Sequence, residues 1–161
     1  MSGPAEVRVR VRRAGVADLP QVARLAAEHA EFERAAAPPP DLARRLERLL
    51  FGTPSPRLRC FVAELDETEI IGYASCAPEV STWDGAEYLH MDCLFLREGH
   101  RGLKVGPLLV AAVVAEARAL GLEQVQWQTP PWNTDAIRFY DRLGARAKEK
   151  VRFHLEVGGG S

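Results

Sequence analysis

Long uncharged apolar runs are missing from this 161-residue sequence. No segment is therefore read as a bilayer span, and the first residues lack the apolar centre of a secretory signal. A cytoplasmic protein is the expectation. Cysteine is scarce: Cys60, Cys76 and Cys93 are odd in number, widely spaced and set among apolar residues. Disulfide frameworks and zinc sites need paired or clustered ligands, so these read as buried free thiols and no metal is expected. An excess of positive charge is also missing. Lys+Arg 21 against Asp+Glu 22 leaves a formal charge of −1, which excludes a generally cationic binder of nucleic acid or of membranes. Repeats and domain linkers are absent as well. One domain over residues 1–157, followed by a disordered Gly/Ser tail at 158–161, is the expected organisation.

What is present alternates between strand and helix signals. Residues 7–12 alternate valine and arginine and read as a half-exposed strand with a solvated arginine face. Asp18 stands at an N-cap position with Pro20 in the first turn of a helix running to about Arg34. Val22, Leu25, Ala26, His29 and Phe32 form its buried stripe. Pro38-Pro39-Pro40 separates this from a second helix, about 41–50. Strands over 59–65 and 70–78 flank the short polar connection Asp66-Glu67-Thr68-Glu69, the pattern of an antiparallel hairpin. Further on, 123–128 reads as a strand, Asn133 as the cap of a short helix closed by Gly144, and 147–155 as a last strand. The order β-α-α-β-β-β-α-β-α-β implies an α/β (α+β) fold, one mixed sheet with helices on both faces.

The chain is organised around residues 89–121, LHMDCLFLREGHRGLKVGPLLVAAVVAEARALG. A strand leads into a turn rich in glycine and basic residues, and a long apolar helix follows, with Gly121 at its C′ position. The first amides of a helix lack internal partners and its dipole favours negative charge there, so the stretch reads as an anion site suited to a phosphate-bearing cofactor. Gly102 and Gly106 let the backbone approach closely, and Arg101 and Lys104 are placed to add charge-assisted bonds.

At Arg101-Gly102-Leu103-Lys104-Val105-Gly106 and at Trp132-Asn133…Phe139-Tyr140…Leu143-Gly144-Ala145 the sequence resembles the GCN5-related N-acetyltransferases (GNAT). The segments Trp83-Asp84-Gly85…Tyr88-Leu89-His90-Met91-Asp92 and 132–140 are similar to the diamine branch, the spermidine/spermine-type and thialysine acetyltransferases. The resemblance implies a mostly antiparallel central sheet of six to seven strands, acetyl-CoA as cofactor, a small-molecule primary amine as acceptor, and a homodimer. It implies that the strand around Asp92 pairs through its backbone with the pantetheine arm, at Leu94, Phe95 and Leu96. The turn from Arg101 through Leu103, Lys104 and Val105 to Gly106 would take the pyrophosphate, with Asn133 and Tyr140 completing the cofactor set. Lys104 stands where the family carries glycine, and Pro107 removes one amide. If the backbone at 104 needs positive φ, a lysine there costs about 1 kcal/mol.

Three residues are candidates for the chemistry. Tyr140, a phenol protonated at neutral pH, suits the acid that reprotonates a departing thiolate; the plainer reading is an amphipathic packing residue. Asp92 matches the position of a glutamate in the diamine branch and suits the base, acting through a water. An ion-paired structural aspartate is the alternative. His90 lies on the same strand face and is the second candidate base. Cys93 as a nucleophile competes with Cys93 as a packed thiol, and no activating group is evident. Glu28, Glu31 and Glu33 on the first helix, with Asp84 and Glu87 before the site strand, are candidate carboxylates for a cationic acceptor or simply solvated faces. Beside the enzyme stand a protein or peptide N-acetyltransferase and a non-catalytic acyl-CoA-binding module.

Overall fold

The computed structural model describes residues 8–100 and 104–158. Among them the elements run β1 (Val9–Arg13), α1 (Leu19–Phe32), α2 (Leu42–Phe51), β2 (Arg59–Leu65), β3 (Glu69–Ser81), β4 (Ala86–Leu96), α3 (Val105–Ala119), β5 (Val125–Gln126) and α4 (Thr134–Arg142). The sheet has the order β1-β2-β3-β4-β5. The first three pairings are antiparallel and only β4–β5 is parallel. The mixed, mostly antiparallel architecture is as expected, with five strands described rather than six to seven.

Two apolar clusters cover the two faces of the sheet. Phe61, Ile71, Leu89 and Met91 pack with Val105, Leu109 and Val113 of α3. On the other face Val62, Ile70, Tyr73 and Phe95 pack with Leu19, Val22 and Leu25 of α1 and Leu50 of α2. The period-2 alternation that sorts these residues is broken twice. Ile71 on β3 has no register partner between Gly72↔Ala63 and Ile70↔Glu64. Asp92 on β4 has none between Met91↔Cys76 and Cys93↔Ser75. Each extra residue is a bulge and reverses the facing of the residues beyond it. Leu89 and Met91 therefore face α3, as do Leu94 and Leu96 beyond the bulge, while Cys93 and Phe95 face α1.

Several local expectations are met. The β2–β3 hairpin turns through Asp66 and Glu67, both at positive φ, and Gly121 ends α3 at φ +73°. No helix among the described residues is long and apolar enough to cross a membrane.

Others are corrected. Asp18 does precede α1, but its carboxylate turns back to accept from the Gly15 amide at 2.7 Å and from both Arg12 terminal nitrogens at 2.6 and 2.9 Å. Arg12 also donates to Glu64 at 2.7 Å, so this arginine is an ion-paired clamp rather than part of a solvated face. The Arg12 guanidinium, helped by the Gly15 amide and opposed by burial, holds the Asp18 carboxyl below the usual carboxylate range. A depressed folded-state pKa gives stability that is fully present above the unfolded-state value near 3.9 and is lost as pH falls through the folded one. Asp18→Asn is thus expected to lower stability by about 2 kcal/mol at pH 7 and by progressively less toward pH 3, measured by thermal melting across that range.

The C-terminal residues form a second compact unit starting at Thr129. In it Asn133 caps α4, its Oδ1 accepting from the Ala136 amide at 3.3 Å, and Gly144 follows the helix at φ +87°. No residue of α4 is fully buried. The strand expected over 147–155 does not form: residues 145–158 have no regular structure. The alternation there is real, since Val151, Phe153, Leu155 and Val157 are all exposed apolar residues. Alternation makes a segment competent for a sheet, but a strand exists only where its amides and carbonyls find a ladder. The same reason shortens the strand expected over 123–128 to two residues, the only ones that pair with β4.

Candidate active site

The site is assembled on β4. β3 flanks this strand along its whole length, whereas β5 pairs with it only at Leu89 and His90. From residue 91 to 96 the outer edge of β4 has no neighbouring strand among the described residues. Such an edge accepts an extended, amide-bearing chain by adding it as a further strand. The bulge at Asp92 lies where the open edge begins. It leaves the Asp92 side chain 62% exposed, with His90 Nε2 3.8 Å from Asp92 Oδ1. The two candidate bases are thus brought together beside the open edge. Leu94 and Leu96 pack toward α3, while Phe95 is buried against α1, so that Phe95 offers the edge only its backbone.

The helix after the open edge begins at Lys104, whose φ of 59° and ψ of 26° are left-handed. The positive φ anticipated for a glycine here is real, and this chain adopts it with a lysine. α3 supplies no internal partner for the amides of Lys104, Val105 and Gly106, and Pro107 lacks the fourth. No acidic side chain occupies the first turn, so nothing there competes with a bound anion. Val105 is fully buried, which leaves its backbone as its contribution. His100 Nδ1, just ahead of the turn, is buried without a hydrogen-bond partner among the described residues. Arg101, Gly102 and Leu103 lie outside the described residues. Lys104→Gly is expected to raise stability by up to about 1 kcal/mol, a Tm gain of roughly 2–4 °C in calorimetry, by relieving the left-handed lysine.

The candidate acceptor carboxylates separate. Glu28 is clamped by Arg97 at 2.9 and 3.2 Å, and the same arginine holds Glu69 at 3.0 Å. Glu33 bonds to His29 one helical turn away, and that imidazole meets the Tyr73 hydroxyl at 3.0 Å. Asp84 bonds to Ser81 at the tip of the β3–β4 hairpin. It lies eight residues from Asp92, roughly 26 Å along an extended strand. Glu87, five residues and roughly 17 Å away by the same rise, lines a separate surface cavity of about 630 Å³ with Arg57, Arg59 and Glu116.

The Cys93 thiol is pushed up to about 11, first by burial and then by the Asp92 charge. It is protonated at neutral pH, which favours the packed thiol over an acyl-cysteine route. Burial likewise raises Cys60 to about 12 and Cys76 to about 11. Asn133 and Tyr140 belong to the second unit, where the Tyr140 ring is tilted against Phe139 at 5.3 Å. His29, Tyr73 and Arg97 are polar residues of this region that no motif marks. Helical periodicity places His29 in a buried stripe and signals nothing more about it.

Comparison with known proteins decides what this strand, turn and helix belong to. The family model described as "Acetyltransferase (GNAT) family" matches residues 22–145, well over half of the chain. The chain belongs to the GNAT family. An L-ornithine N5-acetyltransferase of Arabidopsis thaliana is 29% identical over 89 residues, 55% of this chain and 39% of that protein. A thialysine N-epsilon-acetyltransferase of Mus musculus is 27% identical over 144 residues, 85% of this chain and 84% of the relative. The chain therefore spans about two fifths of the plant relative and most of the mouse one. Among solved structures, an aminoglycoside N-acetyltransferase in complex with CoA superimposes with a TM-score of 0.79. It is 21% identical and covers 98% of this chain and 100% of that one, a likeness of fold. The cofactor of a GNAT domain is acetyl-CoA, and the residues present fit it. The open edge suits the amide-bearing pantetheine arm, and the amides at Lys104–Gly106, which have no partner within α3, suit the pyrophosphate.

Proposed function

We propose that this GNAT domain transfers the acetyl group of acetyl-CoA to the primary amine of a small cationic molecule by direct attack. The observation that carries the reading is the pairing of an open β4 edge with the exposed Asp92, and the half-buried His90 beside it, at its start. When bound, acetyl-CoA supplies an acetyl group activated as a thioester. An alkyl ammonium of pKa about 10.4 is only about 0.1% neutral at pH 7.4, so a base beside the acceptor has work to do. Asp92, through a water and with His90 beside it, takes that proton. Tyr140 returns one to the departing thiolate. Leu94, Phe95 and Leu96 offer backbone groups to the pantetheine arm. Lys104, Val105, Gly106 and Asn133 contact the rest of the cofactor, with Arg101, Gly102 and Leu103 of the same turn. Glu28, held by Arg97, and Glu33, held by His29, are the candidate carboxylates of α1 for the cationic acceptor. The diamine resemblance also supports a homodimer, for which light scattering is the direct measurement.

The test is thiol release from acetyl-CoA across polyamines, amino acids, aminoglycosides and peptides. Turnover with a small amine, and with peptides only weakly, is expected. Peptide acetylation alone would move the acceptor to a protein. Lys104 and Pro107 favour one further reading, a non-catalytic acyl-CoA-binding module. Cofactor binding without turnover over the whole panel would establish that reading instead.

A further inference from the structure

β3 runs on past its last pairing with β2, which is Arg59↔Cys76, while its pairing with β4 continues to Ser81↔Ala86. Beyond Cys76 its outer edge has no neighbouring strand among the described residues. Arg57 fills part of that edge. Its Nη2 donates to the Pro78 carbonyl at 2.8 Å and stands 4.0 Å from Glu79 Oε2. A guanidinium carries five N–H donors, and the Pro78 bond uses one of them.

Register fixes the face to which Glu79 belongs. Glu79 lies opposite Tyr88, and Ala77 lies opposite His90. Directly opposed residues share a face of the sheet, and alternate residues along a strand return to it. Leu89 and Met91 face α3, so Tyr88 and His90, with Glu79 and Ala77, are on the other side. Glu87 falls on the α3 side with Leu89, and Asp84 is held at the hairpin tip. Apart from Asp92, Glu79 is therefore the carboxylate of β3 and β4 next along this face from His90, two residues or about 7 Å away.

Charge decides what fits there. The Arg57 side chain is 75% exposed and that of Glu79 47%. An exposed pair contributes at most about 1 kcal/mol, so a ligand bearing both charges can replace it partner for partner. A dication brings a like charge to Arg57, and a lone carboxylate brings one to Glu79. An ammonium and a carboxylate on the same carbon satisfy both side chains. That group is the head of a free amino acid, and a residue inside a peptide carries neither charge at its α-carbon. A second amine about five bonds from that carbon lies about 6 Å away at about 1.2 Å per bond, close to the spacing between the Glu79–Tyr88 and Ala77–His90 pairs.

We propose that Arg57 and Glu79 are specificity-determining residues that hold the head group of a free diamino acid. Arg57 takes its α-carboxylate and Glu79 its α-ammonium, which sets the distal amine beside His90 and Asp92. The proposal deepens the acetyl-transfer reading, on which its kinetic arm rests. Its binding arm does not depend on turnover.

Three probes separate the charges. L-lysine carries both, 1,5-diaminopentane lacks the carboxylate, and 6-aminohexanoate lacks the α-ammonium. In the kinetic arm, wild-type kcat/KM for L-lysine is expected to exceed that for either analogue by on the order of 10-fold. Arg57→Gln should lower the values for L-lysine and 6-aminohexanoate by a similar factor and spare the diamine. Glu79→Gln should lower those for L-lysine and the diamine and spare 6-aminohexanoate. A merely structural role would lower all three alike. Equal losses for the three probes in each variant, or a wild type that prefers the diamine, overturn the proposal.

In the binding arm, L-lysine is titrated calorimetrically into CoA-saturated protein, and each substitution should weaken its binding by on the order of 10-fold. That weakening without turnover of any amine would count against the proposed function alone. Turnover of other amines, with L-lysine binding unchanged by both substitutions, would overturn the head-group site alone.

Discussion

Asp92→Asn is expected to lower kcat for the acceptor amine by about 10²-fold at pH 7, with the KM for acetyl-CoA changed by no more than about two-fold. The substitution keeps the size of the side chain and its place on the bulge. It removes the negative charge and the capacity to take a proton. Cofactor contacts are proposed for the backbone beyond the bulge and for the helix start, so they should survive. The loss should shrink as pH rises toward 10, because more of the amine is then already neutral. Steady-state kinetics from pH 6.5 to 10 measure this. A defect that stays constant across that range, or that falls on acetyl-CoA KM, would take Asp92 out of the base role and leave His90 as the candidate, 3.8 Å away.

Tyr140→Phe is expected to slow turnover at neutral pH by about 10- to 100-fold with little change in cofactor affinity. The phenol is the only group the deletion removes, and a thiolate of pKa about 8.5 leaves faster when it is protonated as it departs. Unlike the Asp92 defect, this one does not depend on the neutral fraction of the amine, so the two variants should separate in their pH profiles. Single-turnover rates together with CoA binding by calorimetry check it. An unchanged rate removes Tyr140 from the acid role.

The features that were legible in the sequence are those written by local chemistry. Periodicity gave α1, and a long apolar run closed by Gly121 gave α3, to within a few residues. Asn133 and Gly144 punctuate α4 because a cap and a left-handed glycine each need a particular residue type. The strand before residue 97 and the helix after Lys104 could be read for the same reason, while the positive φ at Lys104 was signalled only by the glycine the family carries there. What escaped depends on neighbours distant in the chain. Residues 147–155 alternate well, but pairing decides whether a strand exists, and no local pattern reports a partner. The bulge at Asp92 is invisible in sequence because it is a mismatch of register between β3 and β4. That mismatch turns Cys93 to the α1 face of the sheet, against the cluster of Tyr73 and Phe95. Asp18 shows the same limit in a smaller setting. Its position announced an N-cap, but Arg12 across the turn offers the carboxylate a stronger partner than a helix amide does.

The central claim is that the open edge of β4 and the start of α3 together receive acetyl-CoA. Amide chemical-shift mapping with ¹⁵N-labelled protein titrated with CoA tests it most directly. The account predicts the largest shifts at residues 91–96 and 104–106, where the backbone groups lack a strand or helix partner. Shifts centred instead on the cavity around Arg57, Arg59 and Glu116, or no saturable shifts at all, would contradict it.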